Sequence, residues 1–269
     1  MTTKTIAVHG ATGAQGSIIA ERLAAAGWQV RALNSANAAL DDIDALVDAY
    51  AGVDAVVVQL PLVFEPIALT HAESVLAALS KAGIERAVFN PAMAVPPEPI
   101  GQPFVDARVR LMRELRGVVP GGATVGPAGL YLENLLQPWS IERIVRAGEV
   151  VYPLPAEVPT AWVSLYDIGD VLAEALAGGF DPVTLVTGPR PATGNELAAA
   201  IGAAVSREVR WAPIEPAEYG RLMTPVIGRA AATAVAAIYE QAPPPLPAEL
   251  LRPAPTTPEV WAARQNWTF

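Results

Sequence analysis

The sequence predicts an α/β protein built on a doubly wound parallel sheet, and three observations carry that prediction. Short apolar runs alternate with helix-length amphipathic segments through the first half of the chain, which implies crossover connections and a sheet covered on both faces. A glycine-rich turn joins the first apolar run to the first helix. Of the 269 residues, 52% are hydrophobic and only 17% charged, enough to bury one large core and a smaller appendage.

Thr5 to His9 is a five-residue apolar run closed by glycine, hence a strand buried on both faces, and Gln15 to Ala26 follows as an Ala-rich helix. Further strands are expected at Gln29–Leu33, Ala55–Gln59, Arg86–Asn90 and Ala123–Pro127. Helices between them span Ile43–Ala51, Ile67–Ala82 and Phe104–Val118. Asp41, Asp42 and Asp44 read as acids at a helix N-terminus, where they complement the dipole, rather than as a metal cluster. After Asn134 the pattern is less regular. It gives a helix at Ser140–Ala147, a proline-bounded stretch at Tyr152–Pro159, a strand at Trp162–Ser164, a helix at Asp167–Ala177 and a strand at Thr184–Thr187. Thr193 and Glu196 have capping-box spacing for a helix through Ala204, and Pro216–Tyr239 is an Ala-rich helical region. From Ala242 to Pro258 the chain is proline-rich and expected to be extended. Trp261, Trp267 and Phe269 beyond it are aromatic enough to dock. The implied division is a sheet domain over 1–135, a smaller substrate or lid region over 136–241 and a tail over 242–269.

Composition narrows the function. With 18 basic against 27 acidic residues the formal charge is −9, and no basic stripe exists to follow phosphates, so nucleic acid is not an expected partner. No cysteine is present, which removes disulfides, thiol catalysis and cysteine-ligated metal, and His9 and His71 alone make no histidine site; no metal is expected. No apolar stretch is long enough for a membrane span, and Met1–Lys4 leads straight into the first strand; a cytoplasmic protein is expected. The expected partner is a small hydrophobic metabolite, with the chain acting as a monomer or homodimer.

In the turn Gly10-Ala11-Thr12-Gly13-Ala14-Gln15-Gly16, glycines permit a tight bend, close approach of backbone to a pyrophosphate, and close packing of helix on strand. The candidate cofactor-binding residues are therefore Gly10, Thr12, Gly13, Gln15 and Gly16, with Gln59 at the end of the third strand. The turn is followed, in order, by Val30-Arg31-Ala32-Leu33, Gly52-Val53-Asp54-Ala55-Val56, Ala82 to Asn90, Gly129 to Leu135 and Tyr166-Asp167-Ile168-Gly169-Asp170. Together these resemble the NmrA-like family of atypical short-chain dehydrogenases. The resemblance implies a Rossmann-type domain, NADP or NAD as cofactor, and either reduction of small molecules or redox sensing.

The chain departs from that pattern at three places. None of its six tyrosines has a lysine four residues on, the only lysines being Lys4 and Lys81, so the usual Tyr-x-x-x-Lys proton relay is missing. The lysine that atypical members keep near the start of the helix at Phe104 is matched here by Arg108. Its guanidinium could hold an anion, or it could be a solvated helix residue beside Arg110 and Arg113. Only 21 residues separate Leu33 from Ala55, too few for the extra helix–strand pair usual in the family, and Asn34 and Ser35 stand where a charged group would hold the adenosine ribose or its phosphate. The cofactor is accordingly expected to bind weakly or not at all, with little regard for the 2′-phosphate.

Ligands of open α/β sheets lie outside the carboxyl ends of the strands, which points to Gln59, Asn90, Met93, Tyr131 and Asn134. Tyr131, Asn90 and Arg108 are the candidate catalytic residues, Tyr131 because a phenol can donate a proton. Met93, Asn134, Trp139 and Trp162 are the candidate substrate-binding residues; Trp139, Tyr152 and Trp162 could wall a hydrophobic substrate, although aromatics of that kind are more often core. Three functions fit: an NAD(P)H-dependent reductase of an apolar carbonyl or enone, a non-redox isomerase, cyclase or lyase in the same crevice, and a catalytically silent nucleotide-sensing regulator.

Overall fold

A computed structural model describes residues 4–178, 181–241 and 245–268. In chain order the elements are β1 (Thr5–His9), α1 (Ala14–Ala25), β2 (Gln29–Leu33), α2 (Ile43–Tyr50), β3 (Ala55–Gln59), α3 (Ile67–Lys81), β4 (Arg86–Asn90), α4 (Pro103–Val118) and β5 (Gly121–Pro127). There follow β6 (Leu130–Tyr131), α5 (Pro138–Ala147), β7 (Glu149–Tyr152), β8 (Trp162–Val163), α6 (Leu165–Ala177) and β9 (Val183–Thr187). The last are α7 (Gly194–Val205), β10 (Arg210–Pro213), α8 (Pro216–Ile227), α9 (Arg229–Ile238), β11 (Leu251–Pro253) and α10 (Pro258–Arg264). Two compact units result. The first comprises Met1–Pro127, Leu165–Val186 and Glu249–Arg252; the second comprises Ala128–Ser164, Thr187–Ala248 and Pro253–Phe269.

The first unit is the doubly wound domain. Its seven-stranded sheet runs in the order β11-β9-β5-β4-β3-β1-β2, and the pairs β2–β1, β1–β3, β3–β4, β4–β5 and β5–β9 are parallel. Both faces are covered, so the strands are apolar throughout: Ile6, Ala7 and Val8 of β1 and Ala55 to Val58 of β3 are wholly buried. The short crossover after Leu33 contains α2 alone, and the sheet therefore ends at β2. Asp42 caps α2 by accepting from the Ala45 amide at 3.0 Å, as its position among the acids led us to expect. Arg31 on β2 closes the other end of that helix, donating to the carbonyls of Ala49 and Ala51.

The second unit has two small parallel sheets, β6–β8 and β7–β10, packed with α5, α7, α8, α9 and α10. Its core gathers Leu132, Leu135, Ile144, Val150, Tyr152, Trp162, Leu197, Ile201, Trp211 and Trp261. The Thr193–Glu196 capping box is present. The single helical region expected at Pro216–Tyr239 is two helices, because Gly228 takes φ +80° and breaks the run.

Two expectations for the domain limits and the C-terminal part need correction. The stretch from Ala242 to Pro258 is not simply an extended tail, since Leu251–Pro253 is an edge strand of the main sheet. The first division between units falls after Pro127 rather than after Leu135, and Leu165–Val186 returns to the first unit. Ala242, Pro243 and Pro244 lie outside the described residues. The aromatics beyond do dock. Trp261 is 1% exposed and donates from Nε1 to the buried Glu133 carboxylate at 3.1 Å, which also accepts from Ser164 Oγ at 2.8 Å. Trp267 packs edge-on against Trp261 and donates to the Ala262 carbonyl; Phe269 lies outside the described residues. The bond is buried, and removing its donor leaves part of the Glu133 acceptor capacity unused inside the protein, so Trp261→Phe is expected to cost about 1–3 kcal/mol in a denaturant titration. A loss under about 0.5 kcal/mol would show that the tail contributes little to the fold.

Candidate functional site

The glycine turn is shaped by contacts that exclude side chains. Gly10 takes φ +63°, a conformation glycine adopts without strain, and its amide donates to the Leu33 carbonyl at 2.8 Å, fastening the turn to β2. The Gly13 amide folds back on the Gly10 carbonyl at 2.9 Å. A Cβ on Gly16 would lie 2.0 Å from that same oxygen, whereas one on Gly13 would lie at 3.3 Å. The third glycine is therefore what lets α1 start directly under the turn. Gly13 is the N-cap of α1 and supplies no side-chain cap, so the positive end of the helix opens at the turn beside Thr12 and Gln15.

At the carboxyl ends of β1, β3 and β4 polar groups form a short row. Gln59 Nε2 donates to the His9 carbonyl at 2.7 Å, Asn90 Nδ2 faces Gln59 Oε1 at 3.5 Å, and Asn90 Oδ1 accepts from the Ala92 amide at 2.9 Å. Gln59 and Asn90 are register partners, which is why they meet. Ala92 takes φ +59°, an unusual conformation outside glycine that the Asn90 bond helps to hold. His9, buried at the end of β1, meets the Tyr50 hydroxyl at 2.7 Å. Burial lowers the His9 pKa to about 4 and raises that of Tyr50. His9 is thus a neutral tie between β1 and the end of α2.

Arg108 is not a solvated helix residue. It is 1% exposed, and its guanidinium donates to the carbonyls of Pro91 (2.9 Å), Phe104 (2.8 Å), Leu60 (3.1 Å) and Pro61 (3.2 Å). These carbonyls lie in the segments after β3 and β4 and on α4 itself, so the candidate catalytic arginine is a clamp on two loops. Beside it, Phe104, Val105 and Val109 form an apolar cluster against which Phe64, Met93 and Val95 pack.

The remaining candidates belong to the second unit. Tyr131 is 4% exposed on β6, opposite Val163. Asn134 donates to the Tyr152 hydroxyl at 3.3 Å, and Tyr152 meets the Tyr239 hydroxyl at 2.6 Å. Around Tyr152 lie Trp162, Trp211, Tyr219 and Tyr239 with ring centroids 5.2–5.6 Å away, and Trp139 packs edge-on against Tyr219. Trp162 and Trp139 are thus members of the aromatic core, with Trp162 buried and Trp139 half-buried. Burial pushes the phenols of Tyr152 and Tyr219 up, and that of Tyr239 to about 12, so all three are neutral at ordinary pH. Sequence reasoning overlooked Tyr50, Phe64, Glu133, Tyr219 and Tyr239, and took Tyr152 only as a possible wall of a hydrophobic site. Only Phe64, an aromatic between Pro61 and Pro66 just after a strand end, carried a readable signal.

Two surface depressions, of about 270 and 180 Å3, lie at the amino ends of the first unit's strands, around Val183 and around Lys4, away from the glycine turn. They bring no convergent polar groups near these residues. Among the described residues no group of three or more His, Asp or Glu side chains could hold a metal, and no helix is long and apolar enough to cross a membrane.

Two measurements test these assignments. A Cβ wedged against a carbonyl forces backbone movement, so Gly16→Ala should lose about 1–3 kcal/mol of stability and Gly13→Ala clearly less. Because His9 is held neutral, the unfolded chain takes up a proton first as pH falls. Stability is full above about pH 6.5 and falls towards pH 4, where His9 itself titrates, by about 3 kcal/mol. His9→Gln should lack that component; identical pH profiles for the two proteins would contradict a buried neutral His9.

No protein-family model matches the chain. An NAD(P)H azoreductase of Xenophilus azovorans is 30% identical over 234 residues, which cover 84% of this chain and 77% of that protein. Among solved structures, a triphenylmethane reductase of Citrobacter sp. complexed with NADP(H) superposes with a TM-score of 0.64 at 18% identity over 88% of each chain. An NADPH-dependent quinone oxidoreductase of Escherichia coli does so at 0.58 and 20% identity over 87% of each. By its relation to the azoreductase, with the fold shared by these structures, the chain belongs to the NmrA-like family of NAD(P)-binding Rossmann reductases.

Proposed function

We propose that the protein is an NAD(P)H-dependent reductase of a small, apolar, conjugated acceptor such as an enone or quinone. The observation that carries this reading is the glycine turn, where a helix with no side-chain cap opens behind a bend that excludes side chains. Gly10, Gly13 and Gly16 bring the backbone close to a pyrophosphate, and the amides at the start of α1 offer it hydrogen bonds. Gln59 and Asn90, tied to β1 and to each other, would orient the reacting end of the ligands. When bound, the nicotinamide supplies a hydride.

The missing Tyr-x-x-x-Lys pair favours conjugated acceptors over simple ketones. A hydride added to an unconjugated ketone leaves an alkoxide, which needs an acid close at hand. Added to an enone or quinone it leaves a delocalised anion that water can protonate. Azo compounds, triphenylmethane dyes and quinones, named for the relatives, are all conjugated, which supports the same class.

The adenosine end bears on cofactor choice. Asn34 Oδ1 accepts from the Ala36 amide at 2.9 Å, Asn37 Oδ1 accepts from the Asn34 amide at 2.8 Å, and Asn37 Nδ2 donates to the Ala32 carbonyl. Both amides are used to close their own loop, and neither supplies the charge that would discriminate a ribose hydroxyl from its phosphate. NADH and NADPH should therefore bind with constants within about tenfold of each other, about 1.4 kcal/mol, in calorimetric titration. A preference above a hundredfold would contradict this account of the Asn34 loop. No binding of either nucleotide, by a protein that still converts a substrate, would overturn the reductase reading.

A further inference from the structure

We infer that Phe64 is the residue on which a flat conjugated substrate stacks, with Arg108 as its positioning residue; this rests on the reductase reading and adds the selecting side chain to it. Phe64 is half-buried in the segment after β3, and its ring lies on that of Phe104 at a centroid distance of 4.4 Å and an angle of 16°. The Arg108 guanidinium lies over the same Phe104 ring, 3.6 Å from its centroid. Two rings and a planar cation are thus held as one stack, in which Phe64 is the partly exposed member.

The stack is fixed from behind. Arg108 binds the Leu60 and Pro61 carbonyls of one loop and the Pro91 carbonyl of the other, so a single buried side chain sets both segments at the carboxyl ends of β3 and β4. Pro61 and Pro66 bracket the first loop; Pro91, Pro96, Pro97 and Pro99 stiffen the second. Asp106 ties the far end of the second loop through the amides of Ile100 and Gly101. Gly126 on β5 makes room for its start, since a Cβ there would come within 2.9 Å of Pro91 Cγ and 3.2 Å of the Met93 carbonyl. Despite this fixation the loops keep large apolar side chains outward, Leu62 at 45% and Ile100 at 56% exposure. Two stiffened segments that leave the strands directly after Gln59 and Asn90, one of them carrying a half-exposed aromatic ring backed by Phe104, suit a planar π system and gain nothing for an aliphatic one.

The test is binding of 1,4-naphthoquinone, measured by equilibrium dialysis without reduced cofactor so that turnover plays no part. Phe64→Leu, which keeps apolar volume but removes the flat ring, should weaken binding about tenfold, the upper range for a stacking contact, while Phe64→Tyr restores it. Affinity for NADH should stay unchanged in both variants. Arg108→Lys keeps the charge and loses the planar fork, so it should weaken naphthoquinone binding too, and add little on top of Phe64→Leu in the double variant. Equal binding by wild type and Phe64→Leu would overturn the stacking role, and additive losses would overturn the positioning role of Arg108. Ring-dependent binding of a quinone that the protein does not reduce would uphold the stack and sink the reductase reading. Reduction of a quinone whose binding ignores Phe64 would do the reverse.

Discussion

The close approach of α1 to the Gly10 carbonyl is the constraint on which the first unit depends. With 2.0 Å between that oxygen and the place a Gly16 Cβ would occupy, helix and turn can meet only because the side chain is absent. The contact fixes where α1 begins, and thereby how the helix lies on the sheet. Farther along, Ile19 and Leu23 bury on the strands, and Gly169 of α6 leaves room for Ile19 and the stem of Arg22. The Arg22–Asp170 pair at 2.8 Å is half-exposed and contributes little beside this packing. The same turn opens the N-terminus of α1 with no side-chain cap, so the proposed dinucleotide site would rest on the geometry that packs the helix.

Much of this was legible in the sequence because the periodicities are strong. The strands from Thr5 to Pro127 and the helices between them stand where the alternation puts them, with ends shifted by a residue or two. The shortened crossover could be counted, and the sheet duly ends at β2. What was not legible depends on partners far along the chain. β7 and β10, four residues each, find one another across about sixty residues, and no local signal says that the two runs pair. β11 hid behind the prolines around it, which argue for extended backbone but do not say what pairs with it.

The reading of the site shows the same limit, with one instructive exception. Tyr50 meets His9 over 41 residues of separation and Trp261 meets Glu133 over 128, pairings that no local pattern signals. Arg108 is different. Phe104, Arg108, Leu111 and Leu115 recur at helical spacing and all are buried, so the arginine occupies the apolar stripe of α4 rather than the face that carries Arg110 and Arg113. A charged residue on such a stripe must find polar partners inside, and here the carbonyls of Leu60, Pro61, Pro91 and Phe104 meet that need. Its position on the helical wheel held the information; weighing its charge against neighbouring arginines obscured it.

The place of β11 has a consequence for how the chain is made. The parallel sheet is complete only when Leu251–Pro253 pairs beside β9, although β9 leaves the ribosome more than sixty residues earlier and most of the second unit is synthesised in between. Until then β9 is the sheet's outer strand, with a row of backbone groups open to any passing extended segment. Vectorial synthesis therefore leaves a window in which the nascent chain offers an unfinished edge, and the length of that window is set by translation of the second unit. Slow codons placed after Thr187 would widen it, and a chaperone that shields β9 would act in that interval.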